Sequence, residues 1–159
     1  MAIDQGIGIL VWSPIAGGLL SGKYRRGVAA PPGSRHLTEW NEPPVYDEDK
    51  LYDTIEELVA ISEELGVSAA QVALAYTMAK PAVTSVIVGA RTEEQLADNL
   101  AAADLKLTEA HVGRLDKVST QPLPYPLWHQ ARNAGERFSP ADSTLLSRHP
   151  PGLAQAFRI

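Results

Sequence analysis

Apolar positions in this chain fall into two kinds of run. Two runs are short and continuous, Ile7-Gly-Ile-Leu-Val-Trp12 and Thr84-Ser-Val-Ile-Val88. Both are rich in β-branched side chains; the continuity of the first, rather than alternation, predicts a parallel strand covered on both faces, and the second reads as another buried strand. Ser13-Pro14 closes the first and Gly89-Ala90-Arg91 leaves the second. The remaining runs recur at helical spacing. Leu51, Ile55, Leu58, Ile61 and Leu65 trace one stripe over 48–65, with Asp47 as cap and Gly66 as stop. Ser68-Ala-Ala-Gln71 is a capping-box pattern opening a helix to about Met78, and Pro81 bars its continuation. Thr92-Glu-Glu-Gln95 starts another through about Ala102. A last helix is predicted from Thr108 to Val118, with Val112, Leu115 and Val118 facing inward.

Between these elements lie a glycine-rich turn, 16–24, and a long loop, 25–45, with proline pairs at 31–32 and 43–44 flanking Trp40. Beyond Pro122 the chain reads as proline-punctuated and irregular, with disorder expected from about Ser139. The order strand, loop, two helices, strand, helix, helix, tail predicts an α/β protein with a parallel sheet. Two strands do not make a stable parallel sheet alone. The partners are expected either from sequence upstream of this opening or from another copy, so the chain reads as a fragment of an α/β barrel or of an open sheet.

Composition narrows the functions on offer. A length of 159 residues allows one domain with a real core. Acidic residues outnumber Lys plus Arg by 19 to 14, which suits a soluble protein and disfavours a nucleic-acid binder. The only close basic group is Lys23, Arg25 and Arg26. No cysteine is present, which excludes thiolate chemistry, and the four histidines at 36, 111, 129 and 149 are scattered, so no metal site is expected. The apolar stretch 7–20 is too short and interrupted for a membrane span, and the N-terminus lacks signal-peptide features. A cytoplasmic location is the expectation.

Ligands of such folds bind at the C-terminal ends of strands. The first candidate is Trp12-Ser13-Pro14-Ile15-Ala16-Gly17-Gly18, followed by Lys23: small residues admit a diphosphate to the backbone and the lysine offers charge. The alternative is a tight turn beside a surface lysine. The second is Gly89-Ala90-Arg91 at the start of a helix whose amides favour an anion. Arg91 is placed to fork onto a phosphate, and Gln95 and Asn99 follow on the same face. Here the alternative is Arg91 paired with Glu93 or Glu94, and solvated amides. His111, beside Glu109 and Arg114, reads as surface, and Trp128 and His129 as loop residues that line a pocket or pack locally. Tyr24, Trp40 and Tyr46 belong to the long loop, as cover for a flat ligand or as pins. No Ser–His–acid set and no Lys–Tyr pair is apparent.

With these residues in view, GIGILVWSPIAGGLLSGKY resembles the seventh strand and following loop of aldo-keto reductases, and PAVTSVIVGARTEEQLADNL resembles their eighth strand and next helix. The resemblance covers about residues 1–130, leaving 131–159 as an irregular tail, and is nearest to the bacterial general-reductase branch that also resembles potassium-channel β subunits. It implies the C-terminal part of a (β/α)8 TIM barrel, incomplete here, binding NADPH for reduction of aldehydes or ketones. Ser13, Pro14, Ile15, Gly17 and Gly18, with Lys23 nearby, would line the nicotinamide-ribose and diphosphate side. Gly89 and Arg91 would hold the 2′-phosphate, and Gln95 and Asn99 the adenine end. The loop 25–46 would fold over the cofactor, and Trp128 and His129 would shape the carbonyl-substrate pocket. The family's catalytic tyrosine, lysine, aspartate and histidine lie upstream of this stretch, and none matches a residue here. The isolated chain is therefore expected to be inactive alone, as a truncated gene product, half of a split protein or a remnant. It is also expected to self-associate through exposed barrel edges.

Overall fold

The computed structural model describes residues 1–38, 43–123, 125–133 and 135–146. They form two compact units, one of residues 8–119 and one of residues 1–7 with the segment from 120 onward. The larger unit holds the sheet. β1 (Ile9–Trp12) and β2 (Val83–Ile87) pair in parallel, with Leu10 opposite Ser85 and Trp12 opposite Ile87. They are joined through a 3-10 turn (Ala16–Ser21), a second short one (Arg35–Leu37), and two helices, α2 (Glu48–Leu65) and α3 (Ala69–Met78). α4 (Glu93–Ala101) and α5 (Glu109–Ser119) complete it.

The helices start and stop where their chemistry dictates. Asp47 accepts from the Lys50 amide and Ser68 Oγ from the Gln71 amide, each satisfying a donor that the first turn leaves free. Gly66 ends α2 with φ +66°, a left-handed conformation that costs glycine nothing. Ile55, Leu58 and Ile61 of α2 are buried, as the stripe predicts: Leu58 and Ile61 against Val72 and Ala73 of α3 and Leu115 of α5, and Ile55 against Leu19 and Tyr24. Arg114 carries α5 onto α2 from the outside, reaching Glu57 at 2.6 Å and Glu64 at 2.8 Å. His111 is not the surface residue expected: its side chain is only 13% exposed and its Nε2 lies 3.6 Å from Glu64. Tyr76 and Lys80 converge on Asp116, with Ser119 bonded to the same phenol, which fastens the end of α3 to α5.

The strands depart from expectation. Both were expected to be buried, the first on each face, yet Leu10 is 63% and Trp12 72% exposed, and Ile87 lies open as well. The reason is the sheet's width. Among the described residues two strands pair, and the core lies between helices, so apolar strand side chains meet no covering layer. β1 also starts two residues later than the apolar run, at Ile9.

The smaller unit corrects the tail. Residues beyond Pro122 were expected to be irregular, but α6 (Leu127–Asn133) and α7 (Pro140–Leu146) form there, and a short helix α1 (Ala2–Gln5) lies at the start. One of the prolines begins a helix. Pro140 takes the first helical position, where a missing N–H is harmless. Ser139 and Asp142 close a reciprocal cap, the serine hydroxyl accepting from the Asp142 amide and the carboxylate accepting from the Ser139 amide. That pairing extends order past Ser139, where disorder was expected; residues 147–159 lie outside the described residues, as does Trp40. Among the described residues no single helix is long and apolar enough to cross a membrane.

Candidate functional site

Parallel pairing decides where the two candidate loops go. With Trp12 opposite Ile87, both strands end on one edge of the sheet. Neighbouring strands are ~4.8 Å apart, so the chains leaving at Ser13 and at Val88 leave side by side. Two stretches 75 residues apart in sequence, counting from Ser13 to Val88, are thereby brought to one place.

The first loop is held by its own polar groups. Ser13 and Ala16 have positive φ (52° and 51°), as do Gly17 and Gly18 (63° and 98°). Ser13 Oγ accepts from the Gly17 amide at 3.0 Å, and Ser21 donates to the Gly18 carbonyl at 2.7 Å. Leu19 is buried with Tyr24 and Ile55, and Ile15 and Leu20 pack on the helical core. Gly22 presses the turn onto α3: at φ +80°, a Cβ there would lie 2.9 Å from Ala69 Cβ. The Lys23 ammonium sits over the turn, 3.6 Å from where a Cβ of Gly18 would stand and 5.1 Å from the centre of the Tyr24 ring. Arg25 and Arg26 are tied to Glu56 and to Asp49 and Asp53, whereas Lys23 has no carboxylate partner among the described residues.

The long loop folds back over this turn as far as Thr38. Tyr24 pins it, only 7% exposed, while Tyr46 is open to solvent. His36 stands edge-on to Tyr24, with ring centres 5.4 Å apart, and its backbone amide donates to the Tyr24 hydroxyl at 3.4 Å. Burial pushes the His36 imidazole below its ordinary range, and Lys23 and Arg35 push the same way, against the carbonyls of Gly17 and Ala16. This residue's position is not legible in the sequence, because nothing local links His36 to a turn about twenty residues earlier.

The second loop is organised by α4. Thr92 Oγ1 accepts from the Gln95 amide at 3.3 Å, Gln95 Oε1 accepts from the Arg91 amide at 3.0 Å, and Asn99 Nδ2 donates to the Gly89 carbonyl at 3.4 Å. Gln95 and Asn99 do share one face, as their spacing predicts, and they use it to brace Gly89 to Arg91. The Glu94 carboxylate is held below its usual range by its own backbone amide and then by the Thr92 hydroxyl. Arg91 therefore does not form the expected alternative pair with Glu93 or Glu94; its guanidinium is exposed and has no ion pair among the described residues. Among the described residues nothing approaches within 4 Å of a Cβ position on Gly89. Asp98, which sequence reasoning passed over, sets the helix in place by accepting from Ser68 and from Gln71, both at 2.6 Å.

Trp128 and His129 lie in the other unit, on α6 rather than in a loop. Their rings meet edge-on at 5.6 Å, Tyr125 lies about as close to both, and Asn133 donates to the His129 carbonyl. No group of three or more metal-ligating side chains is assembled among the described residues.

The chemistry at the strand ends is thus a basic and amide-rich rim: Lys23 over a glycine turn, and Arg91 beside a braced loop. Relatives carry the same stretch. The chain is 40% identical over 120 residues to a probable voltage-gated potassium channel subunit beta of Arabidopsis thaliana, covering 72% of this chain and 36% of that protein. The corresponding protein of Oryza sativa subsp. japonica is 39% identical over 118 residues, covering 71% of this chain and 35% of that one. A putative counterpart in Schizosaccharomyces pombe is 33% identical over 119 residues, with shares of 71% and 34%. The chain thus spans about a third of the length of the curated relatives it matches. The sequence model of the Aldo/keto reductase family matches residues 1–120, and the chain belongs to that family.

Proposed function

We propose that this chain is the NADPH-holding portion of an aldehyde or ketone reductase, the C-terminal part of a (β/α)8 barrel, with residues 1–130 as the barrel portion and 131–159 as an appended tail. The observation that carries this reading is the shared strand edge, where two loops leave side by side, each bearing a cation, Lys23 or Arg91, that has no ion pair among the described residues. The residues fit the group. A diphosphate is matched by Lys23 and by the backbone of Ser13, Pro14, Ile15, Gly17 and Gly18, where glycine leaves room for close approach. A 2′-phosphate is matched by Arg91 over the open face of Gly89, since a guanidinium forks onto phosphate oxygens. Gln95 and Asn99 hold the loop at the adenine end and keep their remaining amide atoms for the ligand.

Bound NADPH would supply the hydride for carbonyl reduction. The residues of this chain would bind and orient it, and Trp128 and His129 would line the carbonyl pocket. The family's proton-donating tyrosine and its lysine, aspartate and histidine partners have no match in this sequence, so the proposed role excludes the proton-transfer step. The aromatic and apolar side chains open on the sheet, Leu10, Trp12 and Ile87, are proposed to meet further barrel strands or a second copy. The bacterial general-reductase branch and a cytoplasmic setting belong to the same proposal. A second reading, a nucleotide-binding module without turnover, is supported by the resemblance, which leaves the family's catalytic set unmatched here.

A fluorescence titration of the full chain tests the proposal. Saturable binding is expected for NADPH, with NADH at least about tenfold weaker, since one charge-assisted contact contributes roughly 1.5–3 kcal/mol. Equal affinity for both, or no binding by a chain that unfolds cooperatively, contradicts it. Carbonyl turnover by the chain alone would contradict the non-catalytic role.

A further inference from the structure

The segment after Lys23 returns to the glycine turn, and His36 closes it. The histidine's Nε2 is buried and has no hydrogen-bond partner among the described residues. Leaving such an atom unpaired costs roughly 1–3 kcal/mol, and native proteins keep few of them. The ring cannot easily turn away, because it stands edge-on to Tyr24, whose own ring is buried with Leu19 and Ile55. The charged groups bearing on it are both cations, Lys23 beside Gly18 and Arg35 next in sequence; the groups that favour its protonated form are the Gly17 and Ala16 carbonyls. The imidazole, with Nε2 buried and lacking a hydrogen-bond partner among the described residues, thus stands between two cations and the carbonyls of the glycine turn.

We propose that His36 is a further basic residue of the diphosphate subsite at the glycine turn, one that takes up a proton from solvent as the ligand's two negative charges arrive. The inference rests on the cofactor reading above and adds to it a residue and a proton. Two phosphoryl charges beside Gly17 and Gly18 offset the repulsion from Lys23 and Arg35, and their oxygens accept from the ring. The sign follows from linkage. The free ring titrates below the ordinary histidine value of about 6.5, and binding raises it. The extra affinity is fully present below the free value and is lost as pH rises through the bound value.

The probe is ADP-ribose, whose diphosphate is a diester with no titrating group near neutrality. Calorimetry of the full chain in two buffers of different ionisation enthalpy reads the protons taken up. Uptake of a fraction of one proton is expected near pH 6.5, with affinity falling about three- to tenfold between about pH 6 and 8. The His36→Gln variant is expected to bind with no uptake and a flat profile. In the unaltered chain, the His36 imidazole resonance is expected to titrate at higher pH with ADP-ribose than without it. Binding with no proton uptake and an unmoved His36 resonance overturns the inference and leaves the cofactor reading standing. Uptake that persists in His36→Gln does the same. Failure of ADP-ribose to bind at any pH overturns the inference, and failure of NADPH to bind as well overturns the cofactor reading.

Discussion

Replacing Arg91 with alanine is expected to weaken NADPH binding about ten- to a hundredfold while changing NADH binding by less than about threefold. The guanidinium has no ion pair among the described residues and is exposed, so removing it strands no buried partner and costs the fold little. What it removes is a charge-assisted contact to the 2′-phosphate, of roughly 1.5–3 kcal/mol, and a factor of ten corresponds to about 1.4 kcal/mol. NADH lacks that phosphate and so reports on everything else. The loop itself survives the change, because its brace uses the Arg91 backbone amide, bonded to Gln95 Oε1, rather than the side chain. Paired titrations of both nucleotides against the variant and the unaltered chain check the prediction. Equal losses for the two nucleotides would mean that Arg91 acts through folding or through the shared diphosphate.

The second large effect concerns stability. Ile61→Ala is expected to lower the free energy of unfolding by about 2–5 kcal/mol, because Ile61 is wholly buried and the cavity cannot collapse between α2 and α3. Against the roughly 5–15 kcal/mol typical of a domain, that loss is severe. Leu10→Ser makes the opposite case. Leu10 is 63% exposed, so the change is expected to move stability by less than about 0.5 kcal/mol and to reduce self-association, since apolar surface of this kind recruits partners. Urea denaturation and sedimentation of both variants check this. A Leu10→Ser penalty comparable to that of Ile61→Ala would show that the sheet face is covered in solution.

The contrast between these two residues marks what the sequence made legible. Periodicity located Ile61 correctly because a helix buries one stripe whatever lies around it. The same kind of reading failed for Leu10. An apolar strand says that it wants cover, not that cover is present, and the two-stranded sheet leaves it open. Capping patterns read well at Ser68 and Thr92, since they are local. The cap of Ser139 with Asp142 was equally local, and the expectation of an irregular tail concealed it.

The candidate site divides along the same line. Gly89, Arg91, Gln95 and Asn99 lie within eleven residues, and their spacing places them together. That Gln95 and Asn99 would brace the loop was not legible, because spacing fixes a face and not the acceptor found on it. Asp98 and His36 were missed for a different reason. Asp98 joins Ser68 and Gln71 across thirty and twenty-seven residues, and His36 reaches a turn that its own neighbours do not announce. Such contacts depend on the packing of α3 with α4, and of the long loop on α2, rather than on any local pattern.

The central claim is that the glycine turn after β1 and the braced loop after β2 make one cofactor site. Backbone NMR of the full chain during titration with NADP+ tests it most directly. Amides of Ser13, Gly17 and Gly18 and amides of Arg91, Gln95 and Asn99 are expected to shift together, along isotherms with one midpoint. Shifts confined to one loop, or two loops saturating at different concentrations, would contradict it.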